Sequence, residues 1–405
     1  MKVVTRRSPT RRVAVENRYE RCRTVGNVDI LIVSESFLPQ VNGVTNSVRR
    51  ALEHLEVEGH RAMLVAPSGP DTYAGAPVHR VRTMAMPTYR EFPVGLATRG
   101  HLRRLMTAFA PDVVHLASPA WLGHQAGEAA RSLGIPVVAV YQTDLIGFAE
   151  RYPFPGAAGA MRTLTRRVHG PADRNLVPST ASGSQLAALG IERIHRWGRG
   201  VDTQLFTPHR RDERVRKELG GGVLVGYVGR LAAEKELELL THLRDVPGTR
   251  LVLVGGGPEE QRLRTLLPDA ALLGVRHGED LASVVASLDV FVHTGRTETF
   301  CQSAQEALAA GVPVVAPRAG GPVDLVTEGV NGFLYEPGDG AELRRLVERL
   351  AADEPLRRVL GRRAVAGVRH RSWYAVNDQL VQHYRAVCRP LEHADAGESD
   401  LPRTG

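Results

Sequence analysis

The stretch TETFCQSAQEALAAGVPVVAP, residues 297–317, places two carboxylates, Glu298 and Glu306, among the elements of an α/β sheet. It follows the apolar run LDVFVH (288–293), which predicts a buried strand, and its middle predicts a helix that ends at Gly311. The residues PVVA then predict another strand. Such a strand–loop–helix–strand unit is typical of an open parallel sheet, where ligands bind beyond the carboxyl ends of the strands. Glu298 is predicted to stand at such an end.

The spacing of the two glutamates, with TFCQ between them, resembles the E-x7-E motif of retaining GT-B glycosyltransferases that use nucleotide-sugar donors. The family that carries this motif is glycosyltransferase group 1, also called glycosyltransferase family 4. The resemblance implies that Glu298 and the backbone of Phe300, Cys301 and Gln302 bind the donor sugar hydroxyls, and that Glu306 binds the ribose hydroxyls. Carboxylates suit this task because they accept hydrogen bonds from neighbouring hydroxyls. Taken alone, such a pair is more often two solvated glutamates beside a helix, and it is the surrounding pattern that reverses this preference.

Length and composition favour a globular protein of two domains. A chain of 405 residues is long for one core, and no apolar run reaches the length of a transmembrane helix. Cys22, Cys301 and Cys388 have no C-x-x-C spacing, and no signal-peptide apolar segment is present, which suits a reducing cytoplasm. With the family resemblance, the predicted location is cytoplasmic and peripheral at the inner face of the membrane.

The formal charge of +8 is concentrated at one end of the chain. Residues 1–27 contain eight Lys or Arg residues against two Glu residues, and the remainder is nearly balanced. We predict a basic disordered tail there, or sequence translated upstream of the true start, with attraction to anionic lipid as the functional alternative. We do not expect nucleic-acid binding. The polar segment 389–405 is also predicted to be disordered.

The first predicted domain, residues 28–202, alternates strands and helices, with a polar excursion that contains PVHRVRT (77–83) after the second strand, and this alternation predicts a parallel sheet with helices on its faces. The aliphatic run VDILIVS (28–34) precedes a helix that begins at Val44, so Gly43 lies in the loop between them. A residue without Cβ lets a ligand approach the backbone, and in the family this glycine faces the donor diphosphate. A simple turn glycine is the alternative.

The motif YQTD, residues 141–144, follows a later strand of the first domain. In the family this position commonly reads His-Thr, but here it holds Gln142, which can position a donor by hydrogen bonds and cannot shuttle a proton near neutral pH. Asp144 is predicted either to bind a sugar or acceptor hydroxyl or to cap a helix. With HLASP before it, the motif resembles a branch that acts on lipid acceptors, particularly the actinobacterial α-mannosyltransferases.

The second predicted domain, residues 203–372, opens with a strand at Val223–Val228 that leads into Gly229 and Arg230, and Lys235 is predicted to lie at the start of the next helix. Two cations beside a strand end are placed for a diphosphate, although ordinary surface cations are the alternative. The pattern resembles the family's G-R-x4-K motif, which implies that Arg230 and Lys235 neutralise the leaving nucleotide and act with Glu298 in catalysis.

Other features of the second domain concern the nucleotide base and metal ions. The resemblance implies a backbone contact from Val275 to the base. No D-x-D triplet occurs, so we expect neither a metal nor another cofactor. We assign His277 and His293 no role. The glycines of VGGGPEE (254–260) lack the full dinucleotide fingerprint and do not favour a nicotinamide enzyme.

The resemblance covers residues 28–388. It implies a GT-B fold, with two Rossmann-like domains whose parallel sheets face a central cleft and a helix at 373–388 that returns to the first domain. The preferred function is retaining transfer of a hexose, mannose from GDP-mannose, to a membrane glycolipid or phosphatidylinositol-type lipid. The alternatives are a UDP-sugar-dependent lipid transferase, such as a sulfoquinovosyl-lipid synthase, a nucleotide-sugar epimerase, or a non-catalytic binding protein.

Overall fold

The computed structural model describes residues 26–40, 42–86, 89–118, 120–150 and 157–388. Apart from Gly26 and Asn27, the basic tail predicted at 1–27 lies outside the described residues. The tail predicted at 389–405 lies outside them as well.

The first sheet has the strand order β10-β9-β8-β7-β1-β2-β4-β3. Its neighbours pair in parallel except β3 with β4, and a separate antiparallel hairpin is formed by β5 and β6. The polar excursion predicted after the second strand therefore contains strands of its own. The strands are β1 (Asp29–Val33), β2 (Arg61–Ala66), β3 (Thr72–Tyr73), β4 (Ala76–Arg80), β5 (Arg82–Met86), β6 (Tyr89–Leu96), β7 (Val113–Leu116), β8 (Val137–Val140), β9 (Arg174–Val177) and β10 (Ile194–Arg196).

Helices cover both faces of this sheet because alternate residues of its central strand point to opposite sides. Ile30 and Ile32 belong to one buried cluster and Leu31 and Val33 to another. The predicted aliphatic strand is therefore buried on both faces, as parallel sheets require. The helices are α1 (Gly43–Val57), α2 (Arg99–Phe109), α3 (Trp121–Leu133), α4 (Leu145–Glu150), α5 (Ala157–His169) and α6 (Thr180–Ala188).

The second sheet is parallel throughout, with the order β13-β12-β11-β14-β15-β16. Its strands are β11 (Val223–Val228), β12 (Thr249–Val254), β13 (Ala271–Leu272), β14 (Val290–Val292), β15 (Val314–Pro317) and β16 (Gly332–Tyr335). The helices around it are α7 (Glu213–Glu218), α8 (Glu260–Leu266), α9 (Gly278–Ser287), α10 (Gln302–Ala309), α11 (Gly340–Ala352) and α12 (Glu354–Val368).

Short 3₁₀ segments replace the regular helix that was predicted to begin near Lys235. They span Ala233–Lys235 and Leu237–Leu243, and Glu236 between them has a left-handed backbone with φ of 51°. Two further 3₁₀ segments, Pro208–Arg210 and Gly321–Asp324, lie in connections of the same sheet. The segment that ends at Lys235 is thus a tight turn at the end of β11.

The chain crosses between the two halves at Val201 and at Ser372, where an isolated parallel bridge joins the two crossings. The last helix, α13 (Trp373–Cys388), then packs on the first sheet, with Leu380 and Tyr384 in the same buried cluster as Ile30. This architecture confirms the predicted fold class. In the described residues, no helix is both long and apolar enough to cross a bilayer.

Candidate active site

The carboxyl ends of the two sheets meet across a cleft that is closed by direct contacts. The Thr299 hydroxyl donates to the carbonyl of Gln142 over 3.1 Å, and the Ser182 hydroxyl donates to the carbonyl of Thr299 over 3.3 Å. Farther out, the Thr180 hydroxyl donates to a carboxylate oxygen of Asp324 over 2.7 Å. The loop that contains Glu298 therefore touches the loop after β8.

Glu298 lies in the loop after β14 and is held by two cationic side chains. Lys235 Nζ lies 2.5 Å from Glu298 Oε1, and His293 Nε2 lies 3.3 Å from the same oxygen. Burial alone would raise the pKa of Glu298, but Lys235 and His293 hold this pKa well below the usual range. Glu298 is therefore an ionised acceptor.

His293 was given no role from the sequence, yet it is part of this cluster. Its side chain is 2% exposed and stacks on the ring of Tyr227, with the ring centroids 5.9 Å apart. Although burial disfavours the charged imidazole, neighbouring Cys301 and Glu298 raise the pKa of His293 above its usual range. The one signal in the sequence was its position at the end of a predicted strand.

Arg230 and Lys235 reach the same edge of the sheet from the loop after β11. The Arg230 guanidinium pairs with the buried carboxylate of Glu234, and the Tyr227 hydroxyl donates to the carbonyl of Arg230 over 3.1 Å. Although burial opposes the charge of Lys235, Glu298 raises its pKa. The two predicted diphosphate cations and Glu298 are thus brought together, and each cation is already paired with a carboxylate.

Glu306 lies on α10, one turn after Gln302. The Gln302 amide donates to Glu306 Oε1 over 3.3 Å and to the carbonyl of Gly200 over 3.0 Å. Burial raises the pKa of Glu306 to about 7, although Gln302 and Arg199 act in the opposite direction. Phe300 and Cys301, which precede the helix, are buried, and Cys301 has a left-handed backbone with φ of 74°.

Arg199, which sequence reasoning missed, lies between the two halves of the site. Its Nη1 donates to the carbonyl of Gly43 over 2.8 Å, and its Nη2 donates to Gln142 Oε1 over 3.0 Å. Gly43 is the first residue of α1, and a Cβ there would lie 2.6 Å from Arg199 Nη1. A side chain at position 43 would therefore have to displace the Arg199 guanidinium from this position.

The amide of Gln142 is engaged within the protein at both ends. Besides accepting from Arg199, it donates from Nε2 to the carbonyl of Ala117 over 2.7 Å. The side chain is 6% exposed. Its predicted contact with the donor stays a prediction.

Asp144 has the geometry of a helix cap, one of the two alternatives predicted for it. Its Oδ1 accepts from the backbone N–H of Gly147 over 2.9 Å and from the Tyr141 hydroxyl over 3.1 Å. Its Oδ2 accepts from the amide of Gln185 over 3.1 Å. These contacts fix the start of α4 beside the cleft.

Glu35, also missed from the sequence, lies in the loop after β1 and binds two backbone amides of the first domain. One carboxylate oxygen accepts from the backbone N–H of Leu122 over 2.5 Å and the other from that of Gly95 over 3.0 Å. The N-cap residue of α3, Ala120, makes no side-chain hydrogen bond to the helix. Glu35, in the loop after β1, caps the helix instead. Burial raises the pKa of Glu35 to about 7 against the effect of these hydrogen bonds.

Backbone lines the second-domain edge where the nucleotide was predicted to bind. A Cβ at Gly255 would lie 1.8 Å from the carbonyl oxygen of Gly229, and the Gly255 N–H donates to the carbonyl of Gly274 over 2.9 Å. Val275, the next residue, is 60% exposed. The ends of β11 and β12 and the loop after β13 therefore form one close-packed edge. Within the described part of the chain, no group of three or more His, Cys, Asp or Glu side chains could hold a metal ion.

Comparison with known proteins decides the family. Residues 41–205 match the family model described as Glycosyltransferase Family 4, and residues 209–366 match the one described as Glycosyl transferases group 1. The chain is 48% identical over 370 residues to a GDP-mannose-dependent alpha-mannosyltransferase of Mycobacterium tuberculosis, covering 89% of this chain and 97% of that protein. This chain belongs to the group 1 glycosyltransferases.

Two further relatives of the transferase are a second mannosyltransferase and a sulfoquinovosyl transferase. It is 43% identical to a GDP-mannose-dependent alpha-mannosyltransferase of Corynebacterium glutamicum, over 88% of this chain and 89% of the relative. It is 32% identical to the sulfoquinovosyl transferase SQD2 of Arabidopsis thaliana, over 86% and 72% of the two chains.

Solved structures confirm the predicted GT-B fold of the transferase. A sucrose-phosphate synthase from Thermosynechococcus elongatus superposes with a TM-score of 0.73 at 20% identity, covering 89% of this chain and 99% of that one. Anabaena Alr3699/HepE in complex with UDP-glucose superposes with a TM-score of 0.72 at 22% identity, covering 89% and 100%.

Proposed function

We propose that this transferase moves mannose from GDP-mannose to a hydroxyl of a membrane glycolipid or phosphatidylinositol-type lipid, with retention at the anomeric carbon. The observation that supports it is the identity of 43–48% to relatives named GDP-mannose-dependent alpha-mannosyltransferases, over nearly their whole length. The proposal is also supported by the contacts that join Gly43 and Gln142 of the first domain, through Arg199, to the helix that contains Glu306.

The reaction proposed for this site is front-face attack. The acceptor hydroxyl bonds to the anomeric carbon as the bond to the diphosphate breaks, and the leaving phosphate oxygen takes the hydroxyl proton. Glu298 is poorly placed as a nucleophile because one of its oxygens is shared by Lys235 and His293. It is better suited to accept hydrogen bonds from sugar hydroxyls.

Arg230 and Lys235 would stabilise the charge that develops on the nucleotide diphosphate. Both lie at the carboxyl end of β11 and are held by Glu234 and Glu298. Charges that are already oriented lower a barrier without reorganisation during the reaction. We propose that these two cations do the work that a metal ion does in other transferases, so that the reaction needs no metal or other cofactor.

A lipid acceptor and a peripheral position at the inner face of the membrane are supported by one surface of the first domain. We call it the basic face. Helices α2, α3 and α5 contain one acidic residue, Glu128, and exposed Trp121 and Leu96 lie at the start of α3 and the end of β6. Each Lys or Arg near an anionic lipid surface contributes about 1 kcal/mol of attraction, and Trp favours the membrane interface. Its exposed arginines are Arg99, Arg103, Arg104, Arg131, Arg162, Arg166 and Arg167.

A UDP-sugar-dependent lipid transferase is the second candidate, because the chain is also 32% identical to a sulfoquinovosyl transferase. The test offers the purified full chain GDP-mannose, UDP-glucose, UDP-GlcNAc and ADP-glucose in turn, with and without a membrane-lipid extract, and follows released nucleotide. We expect release from GDP-mannose that depends on lipid. Preference for a UDP-sugar would replace the proposal by the second candidate. Nucleotide release that does not need lipid would indicate a hydrolase, and consumption of the donor without nucleotide release would indicate an epimerase.

A further inference from the structure

Arg199 is a buried cation at the crossing between the two domains. Its side chain is bonded to the first domain, through the Gly43 carbonyl and the Gln142 amide. Its backbone is bonded to the second, because the Gln305 amide on α10 donates to the Arg199 carbonyl over 2.9 Å. Gln302, on the same helix, donates to the next carbonyl, that of Gly200. The helix that contains Glu306 is thus joined through Arg199 to the start of α1.

The charge of Arg199 distinguishes it from the other cations of the cleft. Lys235 and Arg230 each have a carboxylate within ion-pair distance, whereas Arg199 Nη1 and Nη2 donate to neutral oxygens, those of the Gly43 carbonyl and the Gln142 amide. Its Nε makes no hydrogen bond within the part of the chain that the structure describes. A buried cation without a paired carboxylate is costly, by several kcal/mol in general. The protein therefore buries a charge at this point although its burial is energetically unfavourable.

Two glutamates act on this charge through space. Burial lowers the pKa of Arg199 to about 10, and the charges of Glu298 and Glu306 oppose that effect. In return, Arg199 lowers the pKa of Glu306. Arg199 remains protonated at neutral pH and lies within electrostatic reach of both carboxylates of the E-x7-E motif.

We propose that Arg199 is a positioning residue of the donor site, which holds the start of α1 and the Gln142 amide against α10 and keeps a positive charge at the domain crossing next to that helix. This inference rests on the proposed function, that the cleft binds a nucleotide sugar. It accounts for Gly43, since any Cβ there would overlap the guanidinium. It also accounts for Gln142, because an amide can accept from Arg199 and donate to Ala117 at once. A protonated histidine at that position would repel Arg199.

The test compares Arg199→Met and Arg199→Lys with a matched control, Arg371→Met. Arg371 is a half-buried arginine at the same crossing, and its carbonyl accepts from Val201. Turnover and KM for the donor are measured separately across pH, with thermal melting as a check on folding. The control should match the wild type.

Arg199→Met should lower kcat/KM by about 10²-fold, the usual effect of a misplaced site. It should also move the acid limb of donor binding to higher pH, because Arg199 is the charged group that lowers the pKa of Glu306 while Gln302 contributes a neutral hydrogen bond. Arg199→Lys keeps the charge and loses the fork that spans two oxygens, so its acid limb should stay in place while kcat/KM falls. Wild-type kcat/KM in Arg199→Met would overturn the inference. An acid limb at the same pH in Arg199→Lys and Arg199→Met would overturn it as well.

Nucleotide binding separates this inference from the proposed function. Calorimetric titration with GDP, UDP and ADP should show weaker binding by Arg199→Met than by the wild type, even if mannose transfer fails. A wild-type protein that binds none of them would overturn both. If Arg199→Met does not fold, Gly43→Ala replaces it, since the added Cβ displaces the guanidinium. Wild-type kcat/KM in Gly43→Ala would then reject the positioning role.

Discussion

Lys235 Nζ and Glu298 Oε1 lie 2.5 Å apart, so the predicted diphosphate cation and the predicted sugar-binding carboxylate form an ion pair. The two residues come from loops that follow adjacent strands, β11 and β14. The pairing keeps Glu298 ionised and orients Lys235 at the strand ends. The same contact therefore orients the groups that are predicted to bind the two ends of the donor, Glu298 for the sugar and Lys235 for the leaving diphosphate.

Replacing either cation of the cleft should impair turnover more than stability. We expect Lys235→Ala and Arg230→Ala each to lower kcat by about 10²–10³-fold, the usual effect of removing one oriented group that stabilises transition-state charge. Steady-state kinetics with the donor, beside thermal melting, measures both effects. Arg262→Ala, at an exposed arginine of α8, is the control. Normal turnover in both variants would remove the assigned role.

Donor affinity should fall as pH decreases through about 7, because burial raises the pKa of Glu306 to that value. Above this pH the carboxylate is ionised and, as predicted for the donor complex, would accept hydrogen bonds from both ribose hydroxyls, whereas below it one oxygen becomes a donor. Glu306→Gln should bind GDP more weakly and without this pH dependence. Calorimetry across neutral pH tests the difference. An unchanged acid limb in the variant would assign it to another group.

Reversing charge on the basic face should weaken membrane binding and spare donor binding. Arg103→Glu with Arg104→Glu should reduce sedimentation with anionic vesicles and transfer to lipid, while GDP affinity is retained. The attraction should also weaken as salt rises, because the charges are exposed. Arg362→Glu with Arg363→Glu, an exposed pair on α12 of the other domain, is the matched control. Equal losses in both double variants would show that net charge, rather than this face, governs binding.

Removing metal ions should leave transfer intact. The two cations at β11 are proposed to neutralise the diphosphate, so excess EDTA should not change the rate of nucleotide release. The measurement compares untreated, chelated and Mn²⁺-supplemented enzyme. Loss of activity on chelation, with recovery on adding Mn²⁺, would contradict this expectation.

Much of the fold could be predicted because the signals are local. Aliphatic runs such as residues 28–34 and 223–228 predict buried strands, and their alternation with helical segments predicts parallel sheets. The 3₁₀ turn at Lys235 was missed because the left-handed backbone at Glu236 is unusual for a residue with a side chain. The strands within residues 72–96 were missed because the segment was interpreted as a polar connection.

By itself, the sequence determined which segments form the main parallel strands and where the family motifs lie, since both depend on residue type and short spacing. Only the tertiary structure decided that Arg199 contacts Gly43 and Gln142, which lie 156 and 57 residues away, and that Glu35 caps a helix 87 residues later. It also placed His293 against Glu298 and made Asp144 a cap. Such contacts depend on how strand ends and domain crossings converge in space, and no local periodicity records that convergence.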